Sequence, residues 1–243
     1  MQLSTQIQYI LVLLILLTGM FLSIKAQKLT TPAAITGGLL GFLVFLGAGF
    51  PGLIMMASFF VMGTLATSWR SAYKASMGLA EENKGRRKAS QVIANAGVGG
   101  ILGLLNWLFP YQSELFQLML AASFASASSD TLSSELGNVY GKRFYNVISF
   151  KPDNRGLDGV VSLEGTLLGM LGSCIIAGIY GLGFGWTWNL VWIVIAGTVG
   201  NLSDSVLGAT MERKQYLSND AVNFLNTLIG ASTAMLIYSI VSQ

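Results

Sequence analysis

Three carboxylates stand where long apolar runs give way to polar sequence: Asp130 in Ser129-Asp130-Thr131-Leu132, Glu135 soon after it, and Asp204 in Ser203-Asp204-Ser205-Val206. The bland account is that they are solvated residues at helix ends. Against it, a carboxylate at a helix C-terminus opposes the helix dipole and is unfavourable unless a cation compensates. A divalent cation would do so, and sites built from carboxylate oxygen suit magnesium. Asp220, in Ser218-Asn219-Asp220, opens the following apolar run. It is either a fourth acidic ligand or an N-terminal cap and dipole partner of its helix.

Cations and amides accompany these acids. Lys84-Gly85-Arg86-Arg87-Lys88 precedes Gln91 and Asn95. A juxtamembrane basic run ordinarily marks topology or touches anionic lipid, yet two adjacent guanidinium forks also match phosphate oxygens. Asn219, Asn223 and Asn226 recur at helical spacing and so share one face, fit either to glue helices together or to line a polar site. Histidine is absent, which removes the commonest general base, the commonest metal ligand and every Ser/His or Cys/His pair. The one cysteine, Cys174, sits in an apolar run; it is expected as a small core residue, and neither an internal disulfide nor a zinc cluster can form. No Gly-x-x-x-x-Gly-Lys-[Ser/Thr] loop occurs, which excludes a P-loop nucleotide site.

Only membrane helices can position these groups. The chain of 243 residues is 53% hydrophobic and 10% charged, where a soluble domain carries about 25% charged residues. Apolar segments near 7–24, 33–50, 52–69, 91–109, 113–129, 160–182, 186–205 and 221–241 each approach the ~20 residues that a bilayer requires. Pro32 and Pro51 fall at helix starts and Pro110 closes the fourth segment, as proline's missing N–H dictates. The first segment lacks a basic leader, with Lys25 and Lys28 following it; it is expected as a first span and not a cleaved signal.

All 14 Lys and Arg residues fall after segments one, three, five and seven, so the positive-inside rule places those loops in the cytoplasm and both termini outside. Trp107, Trp186 and Trp188 mark the opposite interface, and of the 11 acidic residues only Glu114 lies there. A receptor for extracellular ligands is not built this way. The expected fold is all-α, a polytopic transmembrane bundle of about eight spans. It forms a single domain over 1–243, with 7–30 a peripheral first span and 31–243 a core whose site lies on the cytoplasmic face. The expected location is the bacterial plasma membrane. Glycines spaced as Gly99 with Gly103 and Gly165 with Gly169 suit close helix packing. The small, polar stretch 121–129 belongs in the bundle centre. Segments five and seven run the same way, so their Ser-Asp endings form a short parallel repeat.

Four stretches resemble a family of integral membrane proteins that includes the phytyl-phosphate kinase of the plant vitamin E pathway. The first is Gly85-Arg86-Arg87 with Gln91-Val92-Ile93-Ala94-Asn95-Ala96-Gly97, and the second is Ser129-Asp130-Thr131-Leu132-Ser133-Ser134-Glu135-Leu136-Gly137. The third is Gly156-Leu157-Asp158-Gly159-Val160-Val161-Ser162-Leu163-Glu164-Gly165-Thr166. The fourth is Leu202-Ser203-Asp204-Ser205-Val206-Leu207-Gly208-Ala209-Thr210, continuing into Asn219-Asp220-Ala221-Val222-Asn223-Phe224-Leu225. Order and spacing agree from about Thr31 to the end, while the loop between Asn138 and Leu157 departs most from the family pattern. The family is distantly similar to dolichol kinase and to the cytidylyltransferase that makes CDP-diacylglycerol. The resemblance implies transfer of a phosphoryl group, typically from CTP or else from another nucleoside triphosphate, to an isoprenoid or alkyl monophosphate, giving the diphosphate at the cytoplasmic membrane face.

That reaction suits a histidine-free site. A phosphate monoester is mostly dianionic at neutral pH, its second pKa being about 6, so it attacks a γ-phosphate without a strong base. Catalysis then consists of positioning, Mg2+ and charge neutralisation. On this reading Asp130, Glu135 and Asp204 are the catalytic acids and hold Mg2+, with Asp220 as a fourth ligand. Arg86 and Arg87, aided by Lys142, bind phosphates, and Asn95, Asn219 and Asn223 orient nucleotide or lipid phosphate. The partners are the bilayer, an isoprenoid monophosphate and a nucleoside triphosphate, with no nucleic acid polymer; homo-oligomerisation stays open. A small-solute or lipid transporter and a non-catalytic membrane protein are the rival classes. Against transport, no ionisable residue falls near mid-bilayer and the repeat is parallel where transporter repeats are commonly inverted.

Overall fold

A computed structural model describes residues 4–79 and 85–241; Lys84 of the basic run lies outside the described residues. The chain is a helical bundle built from α1 (Thr5–Lys25), α2 (Thr31–Ser68), a short α3 (Ser71–Ser76), α4 (Ala89–Leu108), α5 (Ser113–Tyr140), α6 (Leu163–Phe184), α7 (Asn189–Leu207) and α8 (Asn219–Val241). Six of the described helices are long and apolar enough to cross a membrane. One of the six, α2, is two spans. Gly49, at φ +58°, breaks it just before Pro51, a conformation that glycine alone adopts cheaply. The arms fold back on one another: Phe45 meets Phe50 edge-on at 5.1 Å, and Ala33 and Ala34 pack with Phe60. Counting both arms and α5 gives the eight spans expected.

The helix α5 is not itself apolar enough to count among those six, and the reason is its place. Every residue from Leu120 to Ser129 is buried, so α5 is the hub, sheltered from lipid by α2, α4, α6, α7 and α8. Small side chains let neighbours approach. A Cβ on Gly165 would stand 2.8 Å from the Ser133 carbonyl oxygen, and one on Gly169 would stand 2.7 Å from that of Ser129. Such contact is how membrane helices associate where water supplies no driving force.

Two sequence expectations change. Asp130 does not end its helix, because α5 continues to Tyr140; the cost of its charge comes from its surroundings and not from a helix terminus. Cys174 is exposed on α6, not in the core. In a membrane protein the outward face is also apolar, so an apolar run alone cannot tell lipid-facing from buried positions.

The basic loops converge at one end of the bundle. Lys28 Nζ donates to Ser68 Oγ at 2.9 Å, Leu29 and Arg87 form a backbone bridge, and Trp69 Nε1 donates to the Tyr140 hydroxyl at 2.8 Å. The other end holds Glu114, which accepts from Asn189 Nδ2 at 3.2 Å. With Cys174 replaced by alanine, a cysteine at exposed Lys151 is expected to resist a membrane-impermeant maleimide in intact cells, while one at exposed Gln112 reacts. The opposite labelling pattern overturns the orientation.

Candidate active site

A cavity of about 270 Å³ opens at the basic end. Its inner wall comes from the ends of α5 and α7, which run parallel and carry the two Ser-Asp motifs. Asp130 and Asp204, both half-buried, face each other within hydrogen-bonding reach. Like charges this close repel strongly away from bulk water, so the pair calls for a cation or a shared proton between them.

Hydrogen bonds hold both helices in register. Asn226 Nδ2 donates to Asp204 Oδ2 at 3.3 Å, and Ser126 Oγ donates to the Asn226 side-chain oxygen. Ser133 Oγ donates to Asn201 Oδ1 at 3.0 Å. Asn226, placed by its spacing on the face of Asn219 and Asn223, is thus the amide of that stripe that touches Asp204.

The remaining expected acids diverge. Glu135 lines the cavity, but its Oε2 forms a buried ion pair with Lys74 and its Oε1 accepts from Thr67 Oγ1 at 3.3 Å. Five residues along an α-helix turn it about 140° from Asp130, so both its oxygens are engaged away from the aspartate pair. Asp220 is not among the lining residues, whereas Asn219 and Asn223, one turn apart, are. Asp220 sits about 100° around the helix from Asn219.

The cations also separate. Arg87 lines the cavity, its guanidinium 5.4 Å from the Phe59 ring centre. It crosses α2 at Gly63, where any Cβ would collide with it. Arg86 Nε instead donates to the Leu29 carbonyl at 3.2 Å, away from the cavity. Lys142 offers its backbone N–H to Glu164 Oε2 at 3.3 Å and is not among the lining residues. Asn95 lines the cavity and donates to the Gln91 carbonyl at 3.0 Å.

The segment between α5 and α6 roofs the cavity. Its strands β1 (Tyr145–Asn146) and β2 (Val160–Val161) pair antiparallel, with Tyr145 opposite Val161. Arg155 bonds the Asn138 and Gly141 carbonyls at 3.3 and 3.0 Å, a favourable cation at the C-terminus of α5. Arg213 pairs with Asp153 at 3.0 Å. The Asn154 backbone N–H, together with that guanidinium, holds the Asp153 carboxyl below the usual range. Gly159, at φ +72°, seats this roof against Ser205 and Ala209.

Three participants escaped the sequence reading. Asp158 and Glu212 line the cavity, and Lys74 holds Glu135. The flanking glycines of Gly-Leu-Asp-Gly signal the turn that presents Asp158; a lone lysine in a basic loop carries no sign of burial. Among the described residues no group of three acids, histidines or cysteines converges as a metal cage. Two carboxylates on one side of a cavity lined by oxygen and amide groups fit magnesium nonetheless, because that ion commonly takes one or two carboxylates and completes its shell with water and substrate phosphates.

Comparison with known proteins agrees with the membrane architecture. A family model described as integral membrane protein DUF92 matches residues 13–231. The chain is 37% identical over 215 residues to Protein VTE6, chloroplastic, of Arabidopsis thaliana, covering 84% of this chain and 64% of that relative's length. It is 34% identical over 215 residues to an uncharacterised membrane protein of Methanocaldococcus jannaschii, covering 88% and 87% of the two chains. A third relative, an uncharacterised membrane protein of Synechocystis sp., is 31% identical over 220 residues, covering 88% and 84%. No solved structure matches the chain.

Proposed function

The chain belongs to the DUF92 family of integral membrane proteins, and from that premise we propose that it is a phosphotransferase converting an isoprenoid or alkyl monophosphate to the diphosphate at the cytoplasmic face. The single observation that carries the reading is the facing pair Asp130 and Asp204 in a cavity that Arg87 also lines. CTP as donor follows the motif resemblance. The plant relative is named for a chloroplast protein, and an isoprenoid substrate is our extension.

An oxygen of the acceptor monophosphate forms a bond to the γ-phosphorus of CTP. The bond from that phosphorus to the β-bridging oxygen breaks, and CDP leaves. No proton has to be removed from the acceptor dianion, so the site needs no histidine. Arg87 neutralises and orients phosphate oxygens. Asn95, Asn219 and Asn223 line the cavity wall; Asn95 keeps a second amide hydrogen beyond the one given to Gln91, and Asn223 donates to the Asn219 side-chain oxygen at 2.9 Å, which fixes that pair facing the cavity. Asp130 and Asp204 would hold magnesium, which neutralises charge on the transferring phosphates when bound. Glu135 acts through Lys74 as a positioning residue, tying α5 to the end of α2.

A panel of donors and acceptors tests this reading on detergent-solubilised protein. CTP or ATP with prenyl monophosphates should yield diphosphates, and the corresponding alcohols should react slowly, since an alcohol needs deprotonation. Equal use of alcohols, or no nucleotide consumption, contradicts it. Arg87→Ala is expected to raise KM for the prenyl monophosphate or the nucleotide by about tenfold or more, with Arg87→Lys rescuing only part because lysine loses the bidentate fork. Arg86→Ala should have the smaller effect. Full activity in the double alanine variant reduces this run to a topology signal.

A further inference from the structure

An apolar slot of about 180 Å³ lies between α1, both arms of α2 and the first turns of α4. Leu16, Met20, Leu53, Met56 and Phe60 form its walls. At one end it reaches Arg87, Gln91 and Asn95, the same three residues that line the carboxylate cavity. From Ser23 to Ile15 it follows α1 for about 12 Å, at 1.5 Å per residue. Gly19 and Gly37 also line it, and side-chain atoms could be added there: no atom lies within 4 Å of a Cβ built on Gly19, and the nearest to one on Gly37 is Val92 Cγ1 at 3.8 Å. Among the described residues of α1 only Val12 is buried, so the outer wall of the slot borders lipid.

We infer that this slot is the subsite for the hydrocarbon chain of the acceptor, which enters from the bilayer beside α1 and sets its phosphate at Arg87. The inference rests on the phosphotransferase reading of the neighbouring cavity. The match is one of chemistry along a line. An apolar wall leads to a cation and two amides, as a lipid phosphate leads from chain to head. The chain never leaves apolar surroundings, and the head never enters them. An apolar cavity of ~150 Å³ accommodates a benzene ring, so the slot grips only the carbons nearest the phosphate. The rest of a long chain runs out between α1 and α2 into the membrane. Gly19 lies about 6 Å along α1 from Ser23, so a five-carbon chain ends short of it while a longer chain passes it on the way to the membrane.

Gly19→Phe fills the slot from α1 without touching the carboxylate cavity. It is expected to lower the ratio of kcat/KM for geranylgeranyl monophosphate over dimethylallyl monophosphate by about tenfold or more. Gly178→Phe, on α6 where added atoms meet open space, should leave that ratio unchanged. An unchanged ratio in Gly19→Phe overturns the inference. A second readout does not depend on turnover. Geranyl monophosphate carrying a diazirine should photolabel peptides of α1, α2 and α4, and excess phosphatidylglycerol should not displace it. Equal labelling of the lipid faces of α6 and α8, or displacement by phosphatidylglycerol, makes the slot an ordinary lipid contact and sinks the inference. Labelling of the slot in a protein that transfers no phosphate retains the slot and removes the phosphotransferase reading.

Discussion

Asp130→Asn and Asp204→Asn should each lower turnover by about two to three orders of magnitude, the scale of a lost transition-state charge contact, while the protein still inserts and folds. Asparagine keeps the shape and one acceptor oxygen, so the bond from Asn226 to position 204 can persist through the amide carbonyl. What disappears is the charge that binds a cation. In the absence of magnesium the folded protein should melt at the same temperature or slightly higher, because each substitution relieves the repulsion between facing carboxylates. Adding magnesium should raise the melting temperature of the unaltered protein and leave both variants unmoved. The alternative has a distinct signature: if either variant loses folded protein but what remains has normal specific activity, the aspartates are structural.

The second large effect falls on stability. Lys74 is buried with its ammonium on Glu135 and on the carbonyls of Ala66 and Thr67, at 3.1 and 2.8 Å. Lys74→Met leaves Glu135, among the described residues, with the Thr67 hydroxyl, and removing one member of a buried pair costs about 3–5 kcal/mol. Glu135→Gln should cost less, because Lys74 keeps two carbonyl acceptors. Lys74→Met combined with Glu135→Gln should recover much of the loss, since no unpaired charge remains. Thermal unfolding of the purified variants in detergent reads this order directly. Equal losses for the two single variants, with additive loss in the double, contradict a coupled pair.

Glu135→Gln also separates the two roles considered for that residue. As a magnesium ligand it should fall with Asp130→Asn in turnover; as a positioning residue it should shift stability more than rate.

The fold was legible because bilayer length, proline positions and the one-sided distribution of cations all act along the chain. Those signals reach as far as α5, whose small polar residues announced a central helix. They stop where geometry around a helix axis decides. Asp130 and Glu135 read as one acidic cluster in sequence, yet the helix turns them to different partners. Arg86 and Arg87 read as one phosphate clamp, yet the backbone bridge to Leu29 sends only Arg87 to the cavity. Cys174 shows the complementary limit, since lipid and core are equally apolar. Asp158, Glu212 and Lys74 take their places through the roof segment, the turn after α7 and α3, where no hydrophobic period constrains position.

The most direct test is transfer of label from γ-labelled CTP to geranylgeranyl monophosphate by purified protein reconstituted in liposomes with magnesium. The proposal predicts labelled diphosphate with one CDP formed per product, abolished by chelation of magnesium and by combined replacement of Asp130 and Asp204 with asparagine. Failure to label any lipid monophosphate from CTP or ATP, or labelling that survives loss of both aspartates, contradicts it.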